Sequence, residues 1–132
     1  TVFFEYAHDC AQLATPEDIK NVFVSNGYMT GEALEAIGSD LHAANIDLKG
    51  SDAFYRKLCG GRQQPVLDSI AKMREMGVWV EVTTLVIPGH NDDEATLRDL
   101  RVAEVTEMDL QIHDGRVLAY RTKLKVSFKY ED

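Results

Sequence analysis

Three short apolar runs divide the first 100 residues of the chain. The runs at 21–25, 43–48 and 78–87 are rich in apolar or β-branched residues and predict strands buried in a sheet. Between them, apolar positions recur at helical spacing. The predicted helices cover 2–14, 30 to 36 or 37, 52–58, 65–76 and 92–100, and Asn91 or Asp92 is expected to cap the last of them. This alternation is typical of the α/β class, with a parallel sheet and right-handed crossovers, and here predicts about three βα units of a partial (βα) barrel.

The first predicted helix carries the clearest apolar stripe. Its apolar residues fall at i, i+3, i+4, i+7, i+10 and i+11, which is the pattern of one buried helix face. They are Phe3, Tyr6, Ala7, Cys10, Leu13 and Ala14. Thr15-Pro16 ends the helix, because a residue before proline is pushed out of the helical region.

After residue 100 the pattern changes to two long strands, at 101–112 and 117–130. Polar and apolar residues alternate along the second strand, which predicts an antiparallel hairpin with one solvent-exposed face. Because apolar residues on both strands sit at even numbers, a three-residue loop that pairs Ile112 with Arg116 and Glu107 with Arg121 keeps them on one face. Parity flips at Val105, which predicts either a bulge within 103–106 or a face buried there by another subunit.

The chain has 132 residues with 45% hydrophobic and 27% charged, the composition of an ordinary globular domain. Residues 1–100 hold 8 basic and 16 acidic residues, whereas 101–132 hold 6 of each, so we place a domain boundary between 1–99 and 100–132. The net charge of −8 argues against nucleic-acid binding, and no apolar run is long enough for a membrane span. Two cysteines without CxxC spacing indicate reduced thiols and a cytoplasmic location, with a disulfide between Cys10 and Cys59 in a secreted chain as the alternative.

Polar residues follow each predicted strand of the first 100 residues. In parallel sheets the carboxyl ends of strands collect function, and here they carry Ser25-Asn26-Gly27, then 47–50, then 88–93. Asp47 and Lys49 fall on one face if the strand continues, because side chains repeat every two residues. Such a pair could hold a zwitterion such as an amino acid. The alternative is a structural ion pair or a capping aspartate.

Residues 1–99 resemble the radical S-adenosylmethionine (SAM) enzymes of the pyruvate-formate-lyase-activating type, in the branch often found beside the Memo proteins. The segments SNG, IDLKG, FYRKLCG and TTLVIPGHND occur in order. The resemblance implies that Ser25, Asn26, Asp47 and Lys49 contact S-adenosylmethionine. The family's iron–sulfur cluster needs a CxxxCxxC loop, which this chain lacks, so we expect no cluster and no radical cleavage by this chain.

No catalytic residue and no metal ligand is assigned. Cys59 lacks an activating partner in any local signature, and we interpret it as a small buried hydrophobic residue near a helix end. The four histidines show no HxxxH or HxH spacing. Trp79, inside a β-branched run, is expected in the core.

Residues 101–132 resemble the carboxyl-terminal hairpin of dodecins, which are small β-α-β-β proteins that assemble into hollow dodecamers. The first strand, the IHDG turn and the YRTKLKVSF ending carry this resemblance. Over 78–130 the predicted order of elements is also β-α-β-β. The positions of the flavin-stacking Trp and the hydrogen-bonding Gln are occupied by Val102 and Arg121, so flavin is not expected. The departures resemble the calcium-binding branch, for which this sequence names no ligands.

Three hypotheses follow. The first is a non-catalytic fusion or chimera of the two segments that forms homo-oligomers through its hairpin and sheet edges, because open edges pair with other chains. The second is a fragment of a radical SAM enzyme that lacks the cluster loop and binds S-adenosylmethionine or another small zwitterion at Ser25, Asn26, Asp47 and Lys49. The third is a dodecin-like protein that stores a small ligand or calcium.

Overall fold

The computed structural model describes residues 3–94, 103–113 and 116–126, the last two ranges as backbone. The helices are α1 (Phe4–Ala14), α2 (Gly31–Ile37), α3 (Asp52–Phe54), which continues as a π-helical turn (Tyr55–Cys59), and α4 (Gln64–Glu75). The strands are β1 (Val22–Ser25), β2 (Ala43–Asp47), β3 (Trp79–Thr83), β4 (Ala103–His113) and β5 (Arg116–Val126). The α/β class and the parallel pairing of β1 with β2 are confirmed. Closure into a barrel stays a prediction.

The chain divides into two compact units, of which the first comprises 1–46 and 64–81 and the second 47–63 and 82–132. The predicted boundary at 99/100 lies outside the described residues. The sheet has the order β1-β2-β3. In the first unit Val22 pairs with Ala43 and Ser25 with Ile46.

The core of the first unit lies between one face of this sheet and the helices α2 and α4. Ala44 and Ile46 of β2 are 2% and 0% exposed, and α2 and α4 contribute further fully buried side chains. The helical residues are Leu34, Ile37, Val66 and Met73. Thr30 begins α2 as predicted, because its hydroxyl oxygen accepts the Ala33 N–H at 3.2 Å.

The prediction for the buried face of α1 is wrong. Phe3, Tyr6 and Leu13 are 73%, 73% and 77% exposed, and Cys10 is exposed as well. The helix instead buries Ala11, whose carbonyl oxygen accepts hydrogen bonds from Thr15 Oγ1 and Asn21 Nδ2. Helical spacing shows which residues share a face, and the face of α1 that packs against other residues is the one carrying Ala11.

Two further core predictions are wrong. Trp79 is 64% exposed, because its N–H bonds to the His42 carbonyl and its side chain therefore shares a sheet face with Ala43 and Val22. Val22 is itself 57% exposed on that uncovered face. Cys59 is also exposed, at the end of the π-helical turn.

The third strand is shorter than the predicted run of 78–87, since β3 ends at Thr83. Beyond it, Thr84 is buried and its Oγ1 donates to the Leu48 carbonyl at 2.7 Å, and the Ile87 N–H donates to Asn91. Hydrogen bonds to side chains replace the backbone hydrogen bonds of the sheet there. The strand therefore ends before the apolar, β-branched run does.

The second sheet is the antiparallel hairpin β4-β5, as predicted, but its loop register differs. His113 pairs with Arg116, and Glu107 pairs with Lys123 rather than with Arg121. Parity is kept over 107–111, where Leu110 lies opposite Tyr120. Beyond the register shift between Gln111 and Ile112 even positions meet odd ones, and Ile112 pairs with Val117 rather than with the predicted Arg116. The predicted irregularity near Val105 is confirmed by a second shift, between Val105 and Glu107. Gly115, on which the loop prediction rested, lies outside the described residues.

Candidate functional site

The first predicted strand end follows β1, in the first unit. Ser25 Oγ accepts the Gly27 N–H at 3.2 Å, and Asn26 Oδ1 accepts the Tyr28 N–H at 3.0 Å. Each side chain therefore bonds its own backbone two residues ahead, as Ser and Asn do in tight turns. The acceptor atoms of both predicted ligand contacts are thus used within the turn.

Gly27 explains why this turn is possible. Its φ is +70°, and a Cβ atom placed there would lie 2.6 Å from Ile46 Cγ2 and 3.1 Å from Val66 Cγ1. Only glycine allows both the backbone conformation and this approach to the core. The SNG segment is therefore a turn in which the glycine is required by packing.

The second predicted strand end follows β2, in the second unit. Lys49 Nζ lies 2.8 Å from Asp47 Oδ2, so the expected pairing on one face is confirmed. The two side chains are 36% and 42% exposed. Leu48, between them, is 4% exposed, which shows that side chains alternate past the last residue of β2.

The backbone beneath this ion pair is held by side chains from other segments. The Tyr55 hydroxyl donates to the Asp47 carbonyl at 3.3 Å and accepts the Lys49 N–H at 3.1 Å. Thr84 Oγ1 donates to the Leu48 carbonyl at 2.7 Å, and Asn91 Nδ2 donates to the Lys49 carbonyl at 2.7 Å. Burial raises the pKa of the Tyr55 phenol above its usual value, so its hydroxyl keeps its proton at neutral pH.

Gly50 continues the same pattern. Gln63 Nε2 donates to its carbonyl at 3.0 Å. Its φ is +150°, and an added Cβ would meet the Phe54 ring at 3.2 Å and Asn91 Cβ at 3.5 Å. Glycine at this position lets the chain turn away from β2 next to a packed aromatic ring.

Asp52 organises the segment that follows. Its carboxylate accepts hydrogen bonds from Arg62 Nε at 2.9 Å, Arg56 Nε at 2.8 Å and the Gln63 N–H at 3.1 Å. The bond from Arg62, then those from Arg56 and Gln63, hold the pKa of Asp52 well below its usual value. The FYRKLCG segment is thereby closed into a compact loop around one carboxylate.

The segment 88–93 places its polar residues differently from the expectation that Asn91 or Asp92 caps a helix. Asn91 is 1% exposed; its Oδ1 accepts the Ile87 N–H at 2.6 Å, and its Nδ2 also donates to the Leu85 carbonyl at 2.9 Å. Asp92 Oδ1 accepts the Gly89 N–H at 3.0 Å. Asn91 therefore belongs to the backbone support of the second strand end.

Sequence reasoning missed Tyr55 and Thr84 and assigned Asn91 another role. The signal that could have found them is a polar residue inside or next to an otherwise apolar run. A buried hydroxyl or amide requires a partner, and the exposed backbone at a strand end supplies one.

Within residues 3–94, no cluster of three or more His, Cys, Asp or Glu side chains is arranged to hold a metal ion. Cys10 lies on α1 in the first unit, Cys59 lies in the second unit, and both are free. None of the described helices has the length and apolar character needed to cross a membrane.

Comparison with known proteins gives matches to two families. The family model of the radical SAM superfamily matches residues 1–100, and the dodecin family model matches residues 91–131. Val102 and the side chain of Arg121, on which the flavin expectation rests, lie outside the described residues.

Two relatives illustrate the first match. An uncharacterised protein of Methanocaldococcus jannaschii is 40% identical over 93 residues, which are 70% of this chain and 27% of that protein. The GTP 3',8-cyclase of Listeria welshimeri is 34% identical over 88 residues, which are 63% of this chain and 26% of that enzyme. The chain thus matches about a quarter of the length of these curated relatives.

A solved structure supports the fold. A domain of a pyruvate-formate lyase-activating enzyme from Bacteroides vulgatus superposes with a TM-score of 0.65 at 18% identity. The match covers 74% of this chain and 61% of that one.

Proposed function

The chain belongs to the radical SAM superfamily, and on that premise we propose that it binds S-adenosylmethionine through the amino-acid group of that molecule, at the strand end carrying Asp47 and Lys49. The observation that carries the proposal is the ion pair itself. Its two side chains are bonded at 2.8 Å, about two-fifths exposed, and mounted on a backbone held by other side chains.

The chemistry of the pair suits a zwitterion. The Lys49 ammonium can bind the ligand's carboxylate, and the Asp47 carboxylate can bind its ammonium, both through charge-assisted hydrogen bonds. A partly exposed ion pair contributes only about 0–1 kcal/mol, so opening it to admit a ligand costs little. The pair therefore serves as a binding element that is kept in place until the ligand replaces each partner.

The family resemblance assigns Ser25 and Asn26 to the same ligand. Because Ser25 Oγ and Asn26 Oδ1 already accept backbone N–H groups, these side chains offer donors: a hydroxyl hydrogen and an amide NH₂. Contact of these two side chains with S-adenosylmethionine stays a prediction.

The residues present do not fit the family's iron–sulfur cluster. The cluster needs three thiolates, whereas the chain has two cysteines, one in each compact unit. We therefore propose ligand binding without radical chemistry by this chain alone, and we keep a cytoplasmic location as a prediction.

Isothermal titration calorimetry of the whole chain with S-adenosylmethionine tests the proposal. Lys49→Met should weaken binding by tenfold or more, since it removes a charge-assisted contact of about 1.5–3 kcal/mol. The matched control is Lys72→Met, which removes a lysine whose Nζ lies 2.7 Å from Glu35 on another surface. 5'-Methylthioadenosine lacks the amino-acid group. Its affinity for the unaltered chain should therefore be about as low as the affinity of S-adenosylmethionine for Lys49→Met. An absence of binding to the unaltered chain, or an equal loss in Lys72→Met, would contradict the proposal.

A second candidate function is self-association, favoured by the uncovered face of the sheet in the first unit. Val24 is 83% exposed and Val22 is 57% exposed, both on β1, which stands at one end of the described order β1-β2-β3. An apolar strand at a sheet edge is a template for pairing with another chain. We propose a second copy of this chain as the partner, with the hairpin edges adding further contacts.

Light scattering after size-exclusion chromatography tests self-association. Val24→Lys should shift the chain toward the monomer, because a charge on the edge blocks pairing. Leu13→Lys, at a position on α1 that is 77% exposed, is the control and should leave the mass unchanged. A monomeric unaltered chain, or dissociation by Leu13→Lys alone, would refute this interface.

The dodecin match to residues 91–131 supports a third and smaller proposal, that the hairpin stores a small ligand or calcium in the assembled protein. Titration with Ca²⁺ and with riboflavin tests it. We expect no riboflavin quenching at micromolar protein, because valine offers little stacking area and arginine accepts no hydrogen bond.

A further inference from the structure

We propose that Tyr55, Thr84 and Asn91 are positioning residues that clamp the backbone of 47–49 in one conformation and so present Asp47 and Lys49 as a preformed pair. The inference rests on the proposed function, because it assigns the clamp to the same binding element. All of these residues lie in the second unit.

Four successive carbonyl groups carry the argument. The carbonyls of residues 47, 48, 49 and 50 accept hydrogen bonds from Tyr55, Thr84, Asn91 and Gln63, at 3.3, 2.7, 2.7 and 3.0 Å. Most carbonyls in a sheet bond to other backbone groups. A run of four that bond to side chains from separate segments fixes the chain just where the strand ladder ends.

The burial of the donors makes the clamp specific. Thr84 is 0% exposed, Asn91 1% and Tyr55 4%, so water does not readily replace a donor that is removed. Asn91 uses its oxygen for the Ile87 N–H and its amide hydrogens for two carbonyls, which fixes its orientation. Each donor comes from a different part of the chain, so the clamp forms only when the unit has folded.

A strand end that is already fixed loses less conformational entropy on ligand binding than a flexible one does. Lysine side chains have many conformations, and ordering them on binding costs affinity. When the backbone under Asp47 and Lys49 is already fixed, less ordering remains for the ligand to impose. Removing one donor should therefore weaken ligand binding without touching any group that contacts the ligand.

Thr84→Val is the central variant, because valine keeps the shape and removes the donor to the Leu48 carbonyl. We expect about tenfold weaker S-adenosylmethionine binding by calorimetry. Thr84→Ser should restore it. Ser69→Ala is the matched control, since Ser69 is 2% exposed and its Oγ donates to the Met29 carbonyl at 3.1 Å in the first unit. It should bind like the unaltered chain.

A double-mutant cycle separates positioning from general destabilisation. On a Lys49→Met background, Thr84→Val should cause a clearly smaller further loss than the tenfold expected in the unaltered chain, because one of the two residues that it positions is gone. A further tenfold loss in the double variant would overturn the positioning role.

Amide hydrogen exchange of the ligand-free chain gives a readout that does not depend on the ligand. Thr84→Val should speed exchange at the Lys49 amide, which donates to Tyr55 rather than to Thr84, by about tenfold relative to Ser69→Ala. Unchanged exchange at Lys49 overturns the clamp. If the unaltered chain binds no S-adenosylmethionine, the proposed function fails and exchange alone decides the clamp. Faster exchange with unchanged affinity rejects its role in binding.

Discussion

The two polar strand ends of this chain use their side chains in opposite ways. After β1, Ser25 and Asn26 bond to their own backbone and close a local turn. After β2, side chains from distant segments hold the backbone, and Asp47 and Lys49 bond to each other. The first arrangement makes a turn, whereas the second leaves two opposite charges available on a fixed support.

This difference indicates which strand end has side chains available to bind a ligand. A polar residue at a strand end can stabilise its own loop or contact a ligand, and a hydrogen-bond acceptor used for one purpose is less available for the other. Remote support therefore separates the two tasks. The glycines reflect the same division: Gly27 is confined by Ile46 and Val66 of the core, and Gly50 by the Phe54 ring beside the pair.

The largest expected effect is on the first strand end. Gly27→Ala places a Cβ 2.6 Å from Ile46 Cγ2 at a φ of +70°, and should lower the free energy of unfolding by about 3 kcal/mol. Urea unfolding measures it. Gly31→Ala, where an added Cβ has no atom within 4 Å, should change stability by less than about 1 kcal/mol. Equal effects of the two variants would show that the turn is not confined by packing.

The next effect compares the two strand ends as ligand contacts. Asn26→Ala should weaken S-adenosylmethionine binding by about threefold or less, against tenfold or more for Lys49→Met, because the Asn26 carbonyl oxygen already serves the turn. Calorimetry at one salt concentration gives both values. A larger loss in Asn26→Ala would reverse the comparison.

The third prediction concerns pH. Since Arg62, Arg56 and Gln63 lower the pKa of Asp52 from its usual 3.8, this carboxylate stabilises the folded chain above about pH 4, and the stabilisation is lost as the pH falls through the lower folded value. Asp52→Asn should therefore be less stable at pH 7, and the difference from the unaltered chain should narrow as the pH falls below about 4. Urea midpoints between pH 7 and 2.5 measure this.

Asp18→Asn supplies the control for that experiment. Asp18 pairs with Lys20, at 2.7 Å on an exposed surface, and its substitution should shift the midpoints less. Parallel curves for Asp52→Asn and the unaltered chain across the whole range would contradict the prediction.

The smallest expected effect is on the stability of the folded chain at alkaline pH. Burial raises the pKa of Tyr55 above its usual 10.0, so the stability that the neutral phenol confers is present below pH 10 and is lost as the pH rises through the folded value. Tyr55→Phe should lack this alkaline decline, although it is less stable at pH 7. Tyr28→Phe, at a half-exposed position, should keep the decline seen in the unaltered chain.

Periodicity predicted most elements but not which faces they bury. The α/β class, the parallel pairing of β1 with β2 and the start of α2 at Thr30 follow from local pattern and capping. The stripe of Phe3, Tyr6 and Leu13 is a genuine helical stripe, yet it lies in solvent. Spacing shows that side chains share a face, whereas burial depends on what packs against that face.

The local chain therefore decided the elements, the pairing of Asp47 with Lys49 and the matched parity of the hairpin over 107–111, because each depends on the fixed repeat of a strand or helix. Only the folded structure decided that Trp79 is exposed, that β3 ends at Thr83 and that Asn91 supports Lys49 rather than capping a helix. Those outcomes depend on which donor and acceptor meet across 36 to 42 residues of sequence, a distance that no local pattern spans.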